Sequence, residues 1–349
     1  MLTMREVNKE WKKHVDKELS DQSPREAYLT TAAKLEEFMI KAEPLSLQRG
    51  NPFVARYLGA YISDSEAAQA LRRLLATYGR MIHTANITLM NGVTSPVELS
   101  EVLQFLPFIE DLTIEAIFSS KTHRHQLPIS FPPMSKLNRL NMNRMFDRDA
   151  RDHGREWEQL LFSSILRSCS ESLTYLCADG ENLQLPGINE LIPNVKDIFV
   201  IGPLYAEENE NGLSDLQLKF EGIRITSLIT PSENFLTSLN TFRETLTFLS
   251  LHITKAETFD PTYLQVFPSL EKLHLNINSN SLEDFPVETR AKFSIIPGLC
   301  PNLKELMIMF HRAFRGINLK SATEVISSLF KKLKVIELSR AEDQYSGRY

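Results

Sequence analysis

FPSLEKLHL, residues Phe267 to Leu275, places Leu270, Leu273 and Leu275 at the spacing apolar-x-x-apolar-x-apolar, two residues after a proline. The alternation at its end is the period of a strand that buries one face. Pro268 stops a preceding helix and cannot donate to a sheet ladder, so its place is just before a strand. Reading outward, the same hexamer recurs upstream as IEDLTI (Ile109 to Ile114), LNRLNM (Leu137 to Met142), LTYLCA (Leu173 to Ala178), VKDIFV (Val195 to Val200), LSDLQL (Leu213 to Leu218) and LTFLSL (Leu246 to Leu251). Downstream it returns as LKELMI (Leu303 to Ile308) and LKVIEL (Leu333 to Leu338). Successive starts lie 28, 36, 22, 18, 33, 24, 33 and 30 residues apart, a mean of 28. With 42% hydrophobic residues, three specified apolar positions arise about once in 13 starting points. The prolines are the stronger signal. Pro107, Pro193, Pro268 and Pro301 stand two residues before a first apolar position, where 17 prolines in 349 residues would place roughly 0.4 by chance.

The segments between these hexamers read as helices. Ser95-Pro96-Val97-Glu98 is a capping box with proline at the first helical position, opening PVELSEVLQFLP. Ser321-Ala322-Thr323-Glu324 opens VISSLF in the same way, and Asp260-Pro261 opens PTYLQVFP. EWEQLLFSSILRSC puts Trp157, Leu160, Leu161, Ile165 and Leu166 on one helical face. Further upstream, YLTTAAKLEEFMIKAE, ARYLGAYIS and SEAAQALRRLLATYG read as helical, with Ser63 and Glu66 in a further box. MIHTANITLMN (Met81 to Asn91) reads as a degenerate first repeat.

Strand, loop, helix and loop repeated about nine times is the pattern of a leucine-rich-repeat solenoid. Residues 109 to 340 resemble the cytoplasmic leucine-rich repeats in the irregular form found in F-box proteins. The asparagine usual after the third leucine is mostly absent, although Asn143 stands three residues after Leu140. The resemblance implies an α/β horseshoe with a helical N-terminal cap, because a solenoid needs a polar-faced end. At the N-terminus, MLTMREVNKEWKKHVDKELS sets Met4, Val7, Trp11 and Val15 on one face. LTMREVNKEWKKHV resembles the second half of an F-box, in which a valine precedes a tryptophan by four residues and a basic stretch follows. The expected organisation is a partial F-box-like helix at 1–20 that lacks the N-terminal half of the module, a helical cap at 21–80, irregular repeats at 81–340 and a tail at 341–349.

The resemblance implies a protein-binding chain, a substrate-recognition subunit of an SCF-type ubiquitin ligase. Val7 and Trp11 would face the Skp adaptor of the cullin ligase, and the concave sheet would hold a protein substrate. A repeat scaffold unrelated to ubiquitin ligation is the other reading. Composition agrees with a protein ligand: a formal net charge of −5 offers no broad basic field for nucleic acid. No apolar run approaches the roughly 18 residues of a membrane span, and the charged N-terminus is no secretory signal. Three cysteines, Cys169, Cys177 and Cys300, without C-x-x-C spacing fit neither a disulfide framework nor a zinc site. They read as buried apolar residues in a reducing cytoplasm or nucleus.

Chemistry finds no foothold in the motifs. Phosphate-loop, dinucleotide, zincin and nucleophile-elbow patterns are absent from the sequence, so no catalytic residue, cofactor or metal is expected. His123 and His125 form a weak loop pair, and Arg148 and Arg151 interrupt the acidic run Asp147, Asp149 and Asp152. The polar stretches 119–133, 145–156 and 206–212 are either solvated loops or insertions on a binding rim.

With the leucines inward, the residues between and beside them face the other side of the sheet. Most are polar: Asp111, Thr113 and Glu115, then Arg139 and Asn141, and later Ser250, Lys272 and His274. The apolar exceptions are Tyr175, Phe199, Ile201, Phe248, Met307 and Met309. They are either binding hot spots or residues covered by another part of the chain. Phe199 and Phe248 are expected on one wall of the sheet.

Overall fold

A strand whose alternate side chains are leucine or isoleucine needs cover on one face only. The chain supplies that cover with a few helices and many tight turns. The computed structural model describes residues 28–29, 57–62, 64–89, 96–116, 130–144, 155–180, 182–201, 216, 220–226, 233–253, 260–277, 294–310, 327–330 and 333–340. They belong to two compact units, Met1–Ser172 and Leu173–Tyr349.

In the first unit the strands β1 (Tyr28–Leu29), β2 (Tyr57–Ile62), β3 (Thr84–Leu89), β4 (Asp111–Ala116) and β5 (Arg139–Arg144) pair in parallel in chain order. Its helices are α1 (Ser65–Tyr78), α2 (Pro96–Leu103) and α3 (Arg155–Cys169). In the second unit β6 (Tyr175–Asp179), β7 (Asp197–Ile201), β8 (Gly222–Thr226), β9 (Phe248–Ile253), β10 (Lys272–Ile277), β11 (Glu305–Phe310) and β12 (Val335–Arg340) do the same. Between them lie α4 (Ile188–Leu191), α5 (Glu233–Leu239), a helical stretch at 294–299 and short 3-10 turns. Both units are α/β with parallel strands. Among the described residues no helix is long and apolar enough to cross a membrane.

One hydrogen-bonding arrangement recurs from strand to strand. The carbonyl of His83 accepts from the amides of Glu110 (2.7 Å) and Asp111 (3.0 Å). The carbonyls of Glu110, Thr174, Lys196, Glu221, Thr247, Glu271 and Lys304 each accept the same two amides from the next segment. Each strand therefore enters the ladder at the same point relative to its neighbour. The prolines sit one corner earlier. Ile109, Val195, Leu270 and Leu303 donate their amides to Leu106, Ile192, Phe267 and Cys300. Pro107, Pro193, Pro268 and Pro301 thus occupy the second residue of a hydrogen-bonded β-turn, where a fixed φ near −65° is favoured.

The apolar positions of the hexamers form the core. Leu112, Ile114, Leu140, Leu176, Ile198, Val200, Leu249, Leu251, Leu275, Leu306 and Ile308 are all nearly inaccessible. Ile82, Ala85 and Ile87 are buried as well, so MIHTANITLMN does contain a strand of the same kind. α1 turns Ala67, Leu71, Leu74, Leu75 and Tyr78 inward and packs against β2 and α2.

Several expectations are corrected. ARYLGAYIS is not helical: its residues 57–62 form β2, with Leu58, Ala60 and Ile62 buried. Its short apolar run fits either period, and tyrosine and isoleucine favour the pleated surface. Tyr28 and Leu29, also expected in a helix, pair with β2. Helix α1 is capped by Asp64 rather than Ser63; the Asp64 Oδ1 accepts from the Ala67 amide at 2.7 Å. Asp260 does cap its segment, accepting from the Thr262 amide, but only a 3-10 turn (Pro261–Tyr263) follows before the chain extends at Leu264. On α3, Leu160 is 50% exposed, and Phe162, two residues and so about half a turn further round the helix, is buried in its stead.

The largest correction concerns LSDLQL. β7 pairs directly with Gly222–Thr226, which pairs directly with β9, so the strand between β7 and β9 is 222–226 and not the expected 213–218. The hexamer in use is FEGIRI, with Phe220 and Ile223 buried. It starts 25 residues after Val195 and 26 before Leu246, which replaces the uneven gaps of 18 and 33. Gly222 disguised it, because glycine ordinarily weakens a strand. Here the glycine makes room: a Cβ would come within 2.1 Å of the Asp197 Oδ1. The box at Ser321–Glu324, the pair His123 and His125, and the run 145–152 lie outside the described residues.

Candidate functional site

Since the leucines of β7–β11 point one way, their neighbours line the opposite face of the second unit's sheet. The parallel register sets them in rows. Asp197, Gly222, Phe248, Lys272, Glu305 and Val335 form one. Phe199, Arg224, Ser250, His274 and Met307 form the next. Phe248, Phe199, Ile201, Met307 and Met309 are half-buried, whereas the leucines between them are fully buried. Tyr175 departs from this expectation. It is only 8% exposed and Cys177 only 2%, because both faces of β6 are covered and the strand is in effect an apolar run. Phe199 and Phe248 share the face but not a row: Phe199 is in register with Arg224, whereas Phe248 is in register with Gly222. Val7 and Trp11 lie outside the described residues.

Around Phe248 the face dips into a depression of about 460 Å³, lined by Asp197, Arg224, Ser250, Glu271, Lys272 and His274 among others. The Phe248 ring organises it. The Arg224 guanidinium carbon lies 4.8 Å from the ring centroid, within range of a cation–π contact. The His274 ring meets Phe248 edge-on at 4.9 Å. On the far side His274 Nε2 lies 3.0 Å from one Glu305 oxygen, and the Lys272 ammonium lies 3.1 Å from the other. These two hydrogen bonds hold the Glu305 carboxyl below its ordinary value, His274 contributing most. Glu271 pairs with Lys304.

Ser250 and His274 are neighbours across the ladder, but no hydrogen bond joins them, and among the described residues none joins this hydroxyl to a base. Among the described residues no cluster of three or more metal-ligating side chains occurs. Burial pushes all three cysteine thiols up to about 12.

The matching face of the first unit has a different character. Thr88 donates to Glu115, Asn141 donates to Thr113, and Arg139 lies 3.3 Å from Asp111. Burial raises the Asp111 carboxyl even though Arg139 pulls the other way. Most of these side chains pair with one another, but the Asn86 Oδ1 in the same row as Thr113 is buried without a hydrogen-bond partner. Among the described residues β3–β5 present no apolar anchor comparable to Phe248 on this face.

Sequence reasoning placed Phe248, Lys272 and His274 on this face and missed Arg224, because the strand carrying it was assigned to 213–218. The signal was present in the second apolar hexamer that starts at Phe220. Comparison with models of known protein families and with curated proteins found no match to this sequence.

Proposed function

We propose that the chain is a leucine-rich-repeat solenoid that binds a protein segment on the solvent-facing side of its second sheet. The observation that carries this reading is the half-buried set Phe199, Ile201, Phe248, Met307 and Met309 on the face opposite the leucine core. Aromatic and methionine side chains held partly exposed on a rigid ladder are the common anchors of interfaces. The recurring two-amide carbonyl and the strictly sequential parallel strands support the solenoid architecture.

Following the resemblance of residues 2–15 to the second half of an F-box, the N-terminal segment with Val7 and Trp11 docks the Skp adaptor. The bound segment is then presented to a cullin ligase, in the cytoplasm or nucleus. Two measurements test these statements separately. Replacing both Phe199 and Phe248 by alanine lowers affinity for a bound protein by at least ~2 kcal/mol, about 30-fold, with the fold retained by circular dichroism. A variant that keeps full affinity overturns the binding face. Calorimetric titration of the chain with purified Skp adaptor is expected to give weak binding at most, because residues 2–15 match only the second half of the module, and Trp11→Ala should abolish it; no heat with either protein leaves a binding scaffold without a ligase role.

A further inference from the structure

Arg224 is exposed and, among the described residues, no carboxylate lies within ion-pair distance of it; its one recorded contact is with the Phe248 ring. The other cations beside it are matched: Lys272 by Glu305, and Lys304 by Glu271. A guanidinium resting on an aromatic face keeps its N–H edge free and loses little freedom when it pairs with an anion. The Ser250 hydroxyl, next in the row, also makes no hydrogen bond to another described residue.

We infer that this depression recognises the carboxylate of an aspartate or glutamate side chain in a protein segment, with Arg224 as its partner and Ser250 as a second donor. The inference rests on the sheet face being the binding surface and adds the chemistry of what it binds. A carboxylate suits the site better than a phosphate does. One cation is unmatched, while Asp197 and Glu271 line the same depression and repel a second negative charge. Two apolar residues of this row flank the charge, Phe199 one strand from Arg224 and Met307 three strands away on the other side, before the ladder runs on to Cys177 and Glu337. Phe199 and Met307 are ~19 Å apart at ~4.8 Å per strand, the reach of about six extended residues. A segment of that length spans both apolar residues, with its acid nearer the Phe199 side.

Selection of a random dodecapeptide display library on the full chain tests this. Enriched peptides carry an acidic residue between apolar ones. In a synthetic peptide of the enriched sequence, acid-to-amide replacement weakens binding about tenfold or more to the wild type and not at all to Arg224→Gln. Equal loss on both proteins, or enrichment without an acidic position, overturns the inference. Tighter binding when phosphoserine replaces the acid overturns the choice of carboxylate. If no peptide is enriched, or if enriched peptides ignore Phe199→Ala with Met307→Ala, the sheet-face reading fails as well.

Discussion

Leu273→Ala and Lys272→Ala differ by one position on β10, and the register makes their costs very different. Leu273 is 5% exposed and lies in line with Leu249 and Leu306, both fully buried. Truncation removes three carbon groups worth about 0.8 kcal/mol each. Strands tied to neighbours on both sides cannot close over the gap, so a cavity term adds to the loss. The expected cost is ~3 to 4 kcal/mol. The Lys272 side chain is 54% exposed and holds one ion pair, at 3.1 Å, to Glu305. An exposed pair of this kind contributes about 0 to 1 kcal/mol, less in salt. The assay has to follow the second unit. Both tryptophans, Trp11 and Trp157, lie in Met1–Ser172, so tryptophan fluorescence is blind to β10. Urea unfolding by far-ultraviolet circular dichroism, with hydrogen exchange of the β10 amides, reports on it. Equal midpoints for the two variants, or a larger loss for Lys272→Ala, would refute the inward placement of Leu273, since a one-residue slip exchanges the faces.

Acid sensitivity follows from Glu305. Its folded-state pKa is depressed from an ordinary 4.5, so the stability it adds is present above that value and is lost as pH falls through the lower folded one. Glu305→Gln should make the acid limb of a pH-denaturation curve shallower; an unchanged limb would count against the pairing with His274 and Lys272. Gly79→Ala should destabilise the first unit by about 1 to 3 kcal/mol, because its Cβ would come 2.0 Å from the Phe105 carbonyl oxygen, and backbone cannot step aside. Gly298→Ala, with nothing within 4 Å, is the control and should shift a thermal midpoint little. Thiols raised to about 12 and buried should resist iodoacetamide at neutral pH in the native chain and label in urea. Native labelling of Cys177, read by mass spectrometry, would mean that β6 is not covered on both faces.

Much of the ladder was legible in the amino-acid order alone. Alternation of period 2 is a local property, and seven of the nine hexamers from Ile109 onward lie on a ladder strand with their central apolar residue in the core, Leu273 and Leu306 among them. The prolines marked the turns because a fixed φ is also local. Three things needed the tertiary structure. Residues 213–218 and 220–225 carry the same apolar spacing, and only hydrogen bonding to β7 and β9 selects the second. Tyr175 and Phe199 occupy equivalent kinds of position, yet one is covered and the other half-open, because burial depends on what packs over a strand rather than on its own period. The cluster of Arg224, Phe248, His274 and Glu305 joins residues from four strands spread over eighty-odd positions. No local rule brings them together; the shared register of a parallel ladder does.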